Sequence, residues 1–373
     1  MTVSDSRIRV LLTVPHLNST ASPYREMIAI AKYLPQDEFS LTICSLRKNG
    51  ISETGPVLDT MNIPYFVARF RPRGYTLKQI RQSLADQALI NQSGPFDIQH
   101  SLDFTSSPFE ALLARFHRRV FVYSQRNLNP NGHKQALRIK ATATHRIIAV
   151  SKAVEAFLHS HGVTSSKIQH VPLGIDLSTM TYGTEKADKP TRRVLSVGHI
   201  VSLKRQEVAI RAVALLANTM PNIRLDIAGA VTDQRYYEEL QSLVRETGLS
   251  ERVRFLGLRD DVPDLMRQAD VLVLCSESEA FGWVILEAMS VGLPAVASAV
   301  DGPKTIIDDG CNGLLVPVGD VEGYAQAISS VLTNSALAAE LATNGRRLVE
   351  ERYSAERMVQ QIADLYRDVV QQR

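Results

Sequence analysis

The chain has 373 residues, 45% hydrophobic and 22% charged, which is enough for two domains with real cores and excludes wholesale disorder. No apolar run reaches bilayer-spanning length, and Cys44, Cys275 and Cys311 are too scattered for a disulfide framework or a close-spaced metal motif. The net charge of +3 hides a split: residues 1–180 hold 21 Lys+Arg against 12 Asp+Glu, and residues 181–373 hold 21 against 27, so the first half is the one expected to meet an anionic partner.

Taken in order, Arg7 to Pro15 reads as a first strand, and the start lacks a signal peptide's apolar segment, so a cytoplasmic location is expected. The loop His16 to Ser22 follows. A helix begins near Pro23 and presents Met27, Ile28, Ala31 and Leu34. Further strands are expected at Phe39–Ser45, Tyr65–Ala68, Asp97–Ser101, Val120–Ser124 and Arg146–Val150. Helical patterns lie between most of them, which implies a parallel sheet with crossover connections. Arg69, Arg71, Arg73, Lys78 and Arg81 are interleaved with Phe70, Tyr75 and aliphatic residues. That stretch reads as a solvated basic helix or as a contact with an anionic membrane surface. Nucleic acid is the weakest reading, because no binding motif accompanies the charge.

His100 and Arg126 stand at strand tips where a doubly wound sheet would present them to a ligand. Arg126 offers a bidentate fork for phosphate or carboxylate, or is an ordinary surface arginine; a lone histidine such as His100 is more often packed than ligating. Residues 178–192 carry little apolar content and read as a linker. Beyond it, the strand Val194–Val197 runs into Gly198-His199 and then Lys204-Arg205 ahead of a helix from Gln206. Here a glycine permits close backbone approach and a lysine presents a mobile ammonium at the helix start. Strands at Ile223–Ala230 and Val253–Leu258 follow, the second running into Leu258-Arg259-Asp260.

The stretch from Val271 to Ser298 organises this half. Val271–Cys275 is a buried strand, Ser276 to Gly282 a loop, Trp283–Met289 a helix ending at Gly292 with Pro294 beyond, and Pro294–Ala299 a second strand. The loop brings Glu279 to the carboxyl edge of the sheet, where open α/β folds bind ligands. Glu287 follows eight residues later, which on a helix is about 12 Å of rise. Glycosidase carboxyl pairs stand about 5–5.5 Å apart for retention or about 6.5–9.5 Å for inversion, so Glu279 and Glu287 suit the two ends of one elongated ligand better than acid/base work. Between them the backbone N–H groups of Phe281, Gly282, Trp283 and Val284 open a helix and form an anion site. A nucleotide-sugar has this pattern of hydroxyls at both ends and phosphates between. The alternative is a helix-start carboxylate at Glu279 and a solvated helix-face residue at Glu287.

Helices at Val321–Leu332, Leu337–Arg352 and Glu356–Val370 finish the chain. The sequence has no G-x-G-x-x-G, which disfavours a dinucleotide oxidoreductase, and no G-x-S-x-G or H-E-x-x-H to support a hydrolase or a zinc enzyme. It has no D-x-D for a metal-bridged diphosphate either, so no metal and no cofactor beyond the donor substrate are expected.

Glu279, Phe281-Gly282, Glu287-Ala288-Met289 and Gly292-Leu293-Pro294 together resemble the signature of retaining glycosyltransferases of family four. The likeness runs through nearly all of the second half and, more weakly, Ala149 to Asp176. It implies the GT-B fold: two Rossmann-like parallel-sheet domains facing across a cleft, here residues 1–178 for the acceptor and 190–355 for the nucleotide-sugar, with a C-terminal helix, 356–373, returning to the first. It also implies that Lys204 neutralises the departing diphosphate and that Glu279 holds the donor sugar, Glu287 the ribose and the amides of Phe281 to Val284 the phosphates. The region of Leu258 and Arg259 would frame the base. The family has an arginine where this chain has His199, so a protonated His199, Arg205 or Arg126 is expected to replace its charge. Acceptor contacts are assigned to the first domain, at Asn18, Ser19, Thr20, His100 and Arg126, for a saccharide or lipid-linked acceptor, with peripheral contact at the inner face of an anionic membrane. The alternatives are another GT-B enzyme, such as a sugar phosphorylase or nucleotide-sugar epimerase, and a non-catalytic nucleotide-sugar binder.

Overall fold

A computed structural model of the chain describes residues 6–17, 22–68, 77–102, 108–128, 134–180, 182 and 191–372. It divides into two compact units, Met1–Gly174 with Ala355–Arg373, and Ile175–Ser354.

The first unit is built on parallel strands β1 (Ile8–Val14), β2 (Phe39–Ser45), β3 (Tyr65–Val67), β4 (Ile98–Ser101), β5 (Val120–Gln125), β6 (Arg146–Ala149) and β7 (Ile168–His170). Their order is β3-β2-β1-β4-β5-β6-β7. Val10 to Val14 are all buried, as expected of a strand covered on both faces, and β1 pairs with β2 from Ile8↔Phe39 to Val14↔Ser45. The crossovers are α1 (Ser22–Tyr33), α2 (Ile51–Thr60), α3 (Leu77–Gln92), α4 (Phe109–Phe116), α5 (Lys134–Ala143) and α6 (Lys152–Ser160). In α1 the core residues are Met27, Ala29, Ile30 and Ala31, with Leu34 buried just past its end, so Ile30 rather than Ile28 fills the inward face. Ser151 starts α6 by accepting from Val154 N–H. The three-residue β7 is too short for an alternation to show in the sequence.

The second unit is a parallel sheet of β8 (Arg192–Val197), β9 (Ile223–Ala228), β10 (Val253–Gly257), β11 (Val271–Leu274), β12 (Ala295–Ser298) and β13 (Leu314–Val316), in order β10-β9-β8-β11-β12-β13. Its helices are α7 (Gln206–Leu216), α8 (Gln234–Glu246), α9 (Val262–Gln268), α10 (Trp283–Ser290), α11 (Asp301–Ile306), α12 (Val321–Thr333) and α13 (Ser335–Arg352). Asp233, Asp320 and Asn334 accept backbone N–H groups at the starts of α8, α12 and α13. Gly292, at φ 76°, closes α10 in the left-handed conformation that a glycine takes at least cost. Strand order reverses at β8 and β11, which are neighbours, so their carboxyl ends flank a topological switch point.

The last helix, α14 (Ala355–Gln371), belongs to the first unit. Met358, Val359, Ile362, Ala363, Leu365, Tyr366 and Val369 are buried, and the helix packs on α1. Arg367 grips Glu38 through two hydrogen bonds of 2.8 and 2.9 Å and lies over the Phe39 ring. Tyr366 Oη is 2.6 Å from His100 Nδ1, whose Nε2 is 2.9 Å from Ser124 Oγ. Burial depresses the His100 imidazole to about 3, so it is neutral in the folded protein.

The unfolded chain protonates this histidine near the ordinary value of about 6.5 and the folded chain does not, so folding stability is full above that pH and falls below it. A loss of about 2 kcal/mol between pH 7 and pH 5 is expected from this one group. Urea midpoints across that range should show it, and His100→Gln should shallow the slope; an unchanged slope would contradict the assignment.

Candidate functional site

The switch point of the second unit draws together three loops that are far apart in sequence. After β8 the chain passes Gly198, at φ 154°, and His199, makes a single 3₁₀ turn at Ser202–Lys204, and enters α7 through Arg205. Arg205 holds a left-handed conformation, φ 49° and ψ 46°, uncommon for a residue with a side chain. After β11 the chain runs through Ser276 to Glu279 and reaches α10 through Gly282, at φ 95°. The third loop opens α11 at Asp301-Gly302-Pro303.

Backbone bonds lock these loops. Glu277 N–H donates to Leu203 O at 2.9 Å, and Gly302 N–H to Glu279 O at 2.9 Å. A Cβ on Gly302 would lie 2.5 Å from Glu279 O and 2.7 Å from Phe281 N, so only glycine allows the approach. The exits of β8 and β9 are tighter still: a Cβ on Gly229 would stand 1.9 Å from Gly198 O. With Gly257 N-terminal neighbour to Leu258 at the end of β10, the carboxyl edge of β8, β9 and β10 is a row of glycines, Gly198, Gly229 and Gly257. Such an edge lets a ligand approach main chain directly. Gly229 and Gly302 were not singled out in the sequence; the signal is a glycine right after a strand, which many turns share.

At the centre, Lys204 Nζ donates to Glu279 Oε2 at 2.7 Å, with side chains 23% and 19% exposed. An ammonium has three donors and a carboxylate two oxygens. Glu279 takes one donor and Lys204 one oxygen, and no further partner of either group stands among the described residues. The pair therefore keeps capacity for a ligand while fixing a positive and an acidic group side by side.

The other residues vary in how far they can reach a ligand. His199 is exposed, and its carbonyl accepts from Gln206 Nε2 at 2.9 Å. Arg205 is paired with Glu207 at 3.1 Å, so part of its charge is already met. Phe281 is buried against Tyr353, leaving its backbone as the part available to a ligand, whereas Trp283 and Val284 are partly exposed at the mouth of α10. Glu287 is 4% exposed, which corrects the reading of it as a solvated helix-face residue: α10 is enclosed on nearly all sides. Leu258 is 57% exposed, and Arg259 is held by Asp261 through bonds of 2.8 and 2.6 Å. The pairing with Asp261 raises the Arg259 guanidinium above its ordinary value.

Two buried polar atoms beside these loops have no hydrogen-bond partner, Ser276 Oγ and Gln206 Oε1. Sequence reasoning did not mark either one. Cys275, next to Ser276, is no nucleophile, since burial pushes its thiol up to about 12. Among the described residues no group of three His, Cys, Asp or Glu side chains is placed to hold a metal ion.

In the first unit, Asn18, Ser19 and Thr20 lie outside the described residues, as do Arg69, Arg71 and Arg73. His100 is fully buried with both ring nitrogens engaged, so it offers no edge to a ligand; the cause is α14, whose Tyr366 covers it. The Arg126 side chain is only 7% exposed and is ion-paired with Glu26, which also accepts from Ser124 Oγ at 3.2 Å. Burial lowers the Arg126 guanidinium to about 9. Neither residue is a surface group.

The family described as "Glycosyltransferase Family 4" matches residues 26–179, and "Glycosyl transferases group 1" matches residues 183–348. The chain belongs to glycosyltransferase family 4. This family 4 chain is similar to the lipopolysaccharide core biosynthesis glycosyltransferase LpsE of Rhizobium meliloti (strain 1021), 36% identical over 170 residues, 46% of this chain and 47% of LpsE. It is also similar to the D-inositol 3-phosphate glycosyltransferase of Mycobacterium sp. (strain JLS), 35% identical over 202 residues, 51% of this chain and 45% of that protein. The matches thus span about half the length of these curated relatives. Among solved structures, Anabaena Alr3699/HepE in complex with UDP and glucose shares the fold with a TM-score of 0.80 at 22% identity, over 96% of this chain and 99% of that one. Sucrose-phosphate synthase (tll1590) of Thermosynechococcus elongatus does so with a TM-score of 0.79 at 20% identity, over 98% and 100%. The architecture of the family 4 chain, two parallel-sheet α/β units, is the GT-B fold.

Gly229→Ala should destabilise the second unit by about 1–3 kcal/mol, the usual cost of overpacking, because the new methyl meets a backbone oxygen that cannot move aside. Denaturant midpoints would report it, and a midpoint equal to the parent's would contradict the close approach of Gly198 and Gly229.

Proposed function

We propose that this chain transfers a sugar from a nucleoside diphosphate donor to an acceptor hydroxyl with retention of anomeric configuration and without a metal. The observation that carries the reading is the Lys204 ammonium held 2.7 Å from Glu279 at the carboxyl edge of the second sheet, beside glycine-lined strand exits and the mouth of α10. An isolated pair this open to solvent contributes roughly 0–1 kcal/mol to folding, so stability alone does not account for it. A ligand with a charged diphosphate and a hydroxylated sugar does.

In this reading Lys204 turns its remaining N–H groups to the diphosphate and stabilises the charge that grows on the leaving oxygen. The α10 amides at Gly282 to Val284 add hydrogen bonds and the positive end of the helix dipole. Glu279 accepts from sugar hydroxyls and Glu287 from the ribose, while Leu258 and Arg259 lie toward the base. His199 or Arg205 supplements Lys204; Arg205 does so at the cost of loosening Glu207, and buried Arg126 is already matched by Glu26. The chemical step breaks the bond from the anomeric carbon to the phosphate oxygen and forms one to the acceptor oxygen on the same face, the acceptor proton passing to the departing phosphate. The absence of D-x-D and the presence of Lys204 support a metal-free route.

UDP and glucose in the Anabaena structure make a uridine diphosphate sugar the first donor to try. The lipopolysaccharide core role named for LpsE makes a saccharide or lipid-linked acceptor the first class to try. No helix among the described residues is long and apolar enough to cross a membrane. A lipid-linked acceptor would then be met at the inner membrane face, through the basic first unit.

A donor screen reading diphosphate release against an acceptor panel tests the proposal, with proton NMR assigning the product anomer. Lys204→Ala should cut kcat by about 10²–10³-fold, as for a lost oxyanion donor, while the melting temperature moves by no more than about 2–4 °C. Wild-type turnover in that variant would discard the assigned role. Diphosphate release that needs no acceptor, or donor binding with no turnover, would favour an epimerase or a binding protein instead.

A further inference from the structure

At the opposite edge of the first unit's sheet, where β5, β6 and β7 begin, there is a recess of about 550 Å³. Arg115, Arg118, Arg119, Arg146 and Lys167 line it together with His145, and no aspartate or glutamate does. Val369 and Gln372, from the C-terminal segment, close one side.

Part of this charge has an ordinary structural use. Lys167 Nζ donates to the carbonyls of Ala141, Thr142 and Thr144, each at 2.9 Å, and so caps the negative end of α5. Arg119 donates to Asn91 and Gln99, and Arg146 to His145 O and to Gln372 Oε1 at 2.7 Å. All of these acceptors are neutral, so they orient the cations without cancelling them. Among the described residues Arg115, Arg119, Arg146 and Lys167 take part in no ion pair. The mutual field is felt locally: burial first, then Arg115, Lys167 and Arg146, lower the His145 imidazole, and burial with Arg115 and Arg146 lowers Lys167. Keeping this many like charges around one hollow costs energy that helix capping by one lysine does not require.

The volume falls in the range of small-ligand pockets, and guanidinium forks match the oxygens of a phosphate group. We propose that this recess binds a phosphate-bearing anion, at a site separate from the Lys204–Glu279 site and on the edge of the sheet away from its strand tips. Two sources share that chemistry, a free phosphorylated solute and the headgroup of a lipid. Beside Arg115, α4 exposes Phe109, Leu112 and Phe116 on one stripe, Phe116 at 80% exposure, and this stripe is where the two sources differ. A headgroup would bring acyl chains to it, and a free solute would not.

The test uses the full chain carrying Lys204→Ala, so that a diphosphate bound at the other site is not read in its place. Inorganic pyrophosphate is titrated while the His145 ring signal is followed by NMR. The expected result is a saturable shift at millimolar concentration or below, with the His145 pKa rising as the anion offsets its cationic neighbours. Arg115→Glu, on an exposed position at the end of α4, should weaken that binding at least 10-fold, and Arg146→Gln should weaken it too. Vesicle sedimentation then names the source. Retention on phosphatidylglycerol but not phosphatidylcholine vesicles, lost in Arg115→Glu and in Phe116→Ser while Phe116→Ser still binds pyrophosphate, identifies a lipid headgroup; pyrophosphate binding with no vesicle retention identifies a free solute. No saturable shift up to about 10 mM, or binding indifferent to both arginine substitutions, overturns the proposal.

Discussion

The ion pair between Lys204 and Glu279 is the contact on which the candidate site depends. It joins residues 75 apart in sequence, and it exists because β8 and β11 lie side by side where the strand order of the second sheet reverses. Each strand delivers one loop to the same edge. The Glu277 to Leu203 backbone bond holds the loops in register, so the two charges meet without either side chain being fully buried. That intermediate exposure is what a binding site needs: enough desolvation to give the charges force, enough opening for a ligand to enter.

The packing around the pair supports this placement. Fully apolar strands such as Val271–Leu274 anchor the loops from below, and α10 is buried over most of its length, so its mouth is held rigidly. Gly229 and Gly302 remove side chains where main chains must come within contact. The orphan atoms Ser276 Oγ and Gln206 Oε1 sit in this same region, where a bound group or an ordered water would satisfy them.

The first unit shows the opposite use of polar groups. Its strand tips hold a closed network: Glu26 with Arg126 and Ser124, Ser124 with His100, and His100 with Tyr366 of α14. Glu110 is likewise enclosed by Thr13, Gln99 and Ser101. These groups satisfy each other and seat the returning helix. Among the described residues, Arg115, Arg146 and Lys167 line a recess at the amino edge of this sheet instead.

What was legible in the sequence was what local pattern controls. Buried parallel strands read as apolar runs, so Phe39–Ser45 was placed to the residue and most other strands to within one or two, and Gly292 with Pro294 marked the end of α10. Glu279, Glu287 and Lys204 could be named because their neighbours form a motif. Pairing across distance was hidden: nothing near Lys204 says that it meets Glu279, and nothing near His100 or Arg126 says that Tyr366 and Glu26 will claim them. Short β7, and the glycines at 229 and 302, carry no periodicity to read. The amino acid order by itself therefore determined two α/β units and a list of chemically apt residues, because burial and helix capping act over a few positions. Only the tertiary structure decided which of those residues touch, since strand order, not sequence distance, sets which loop ends share an edge.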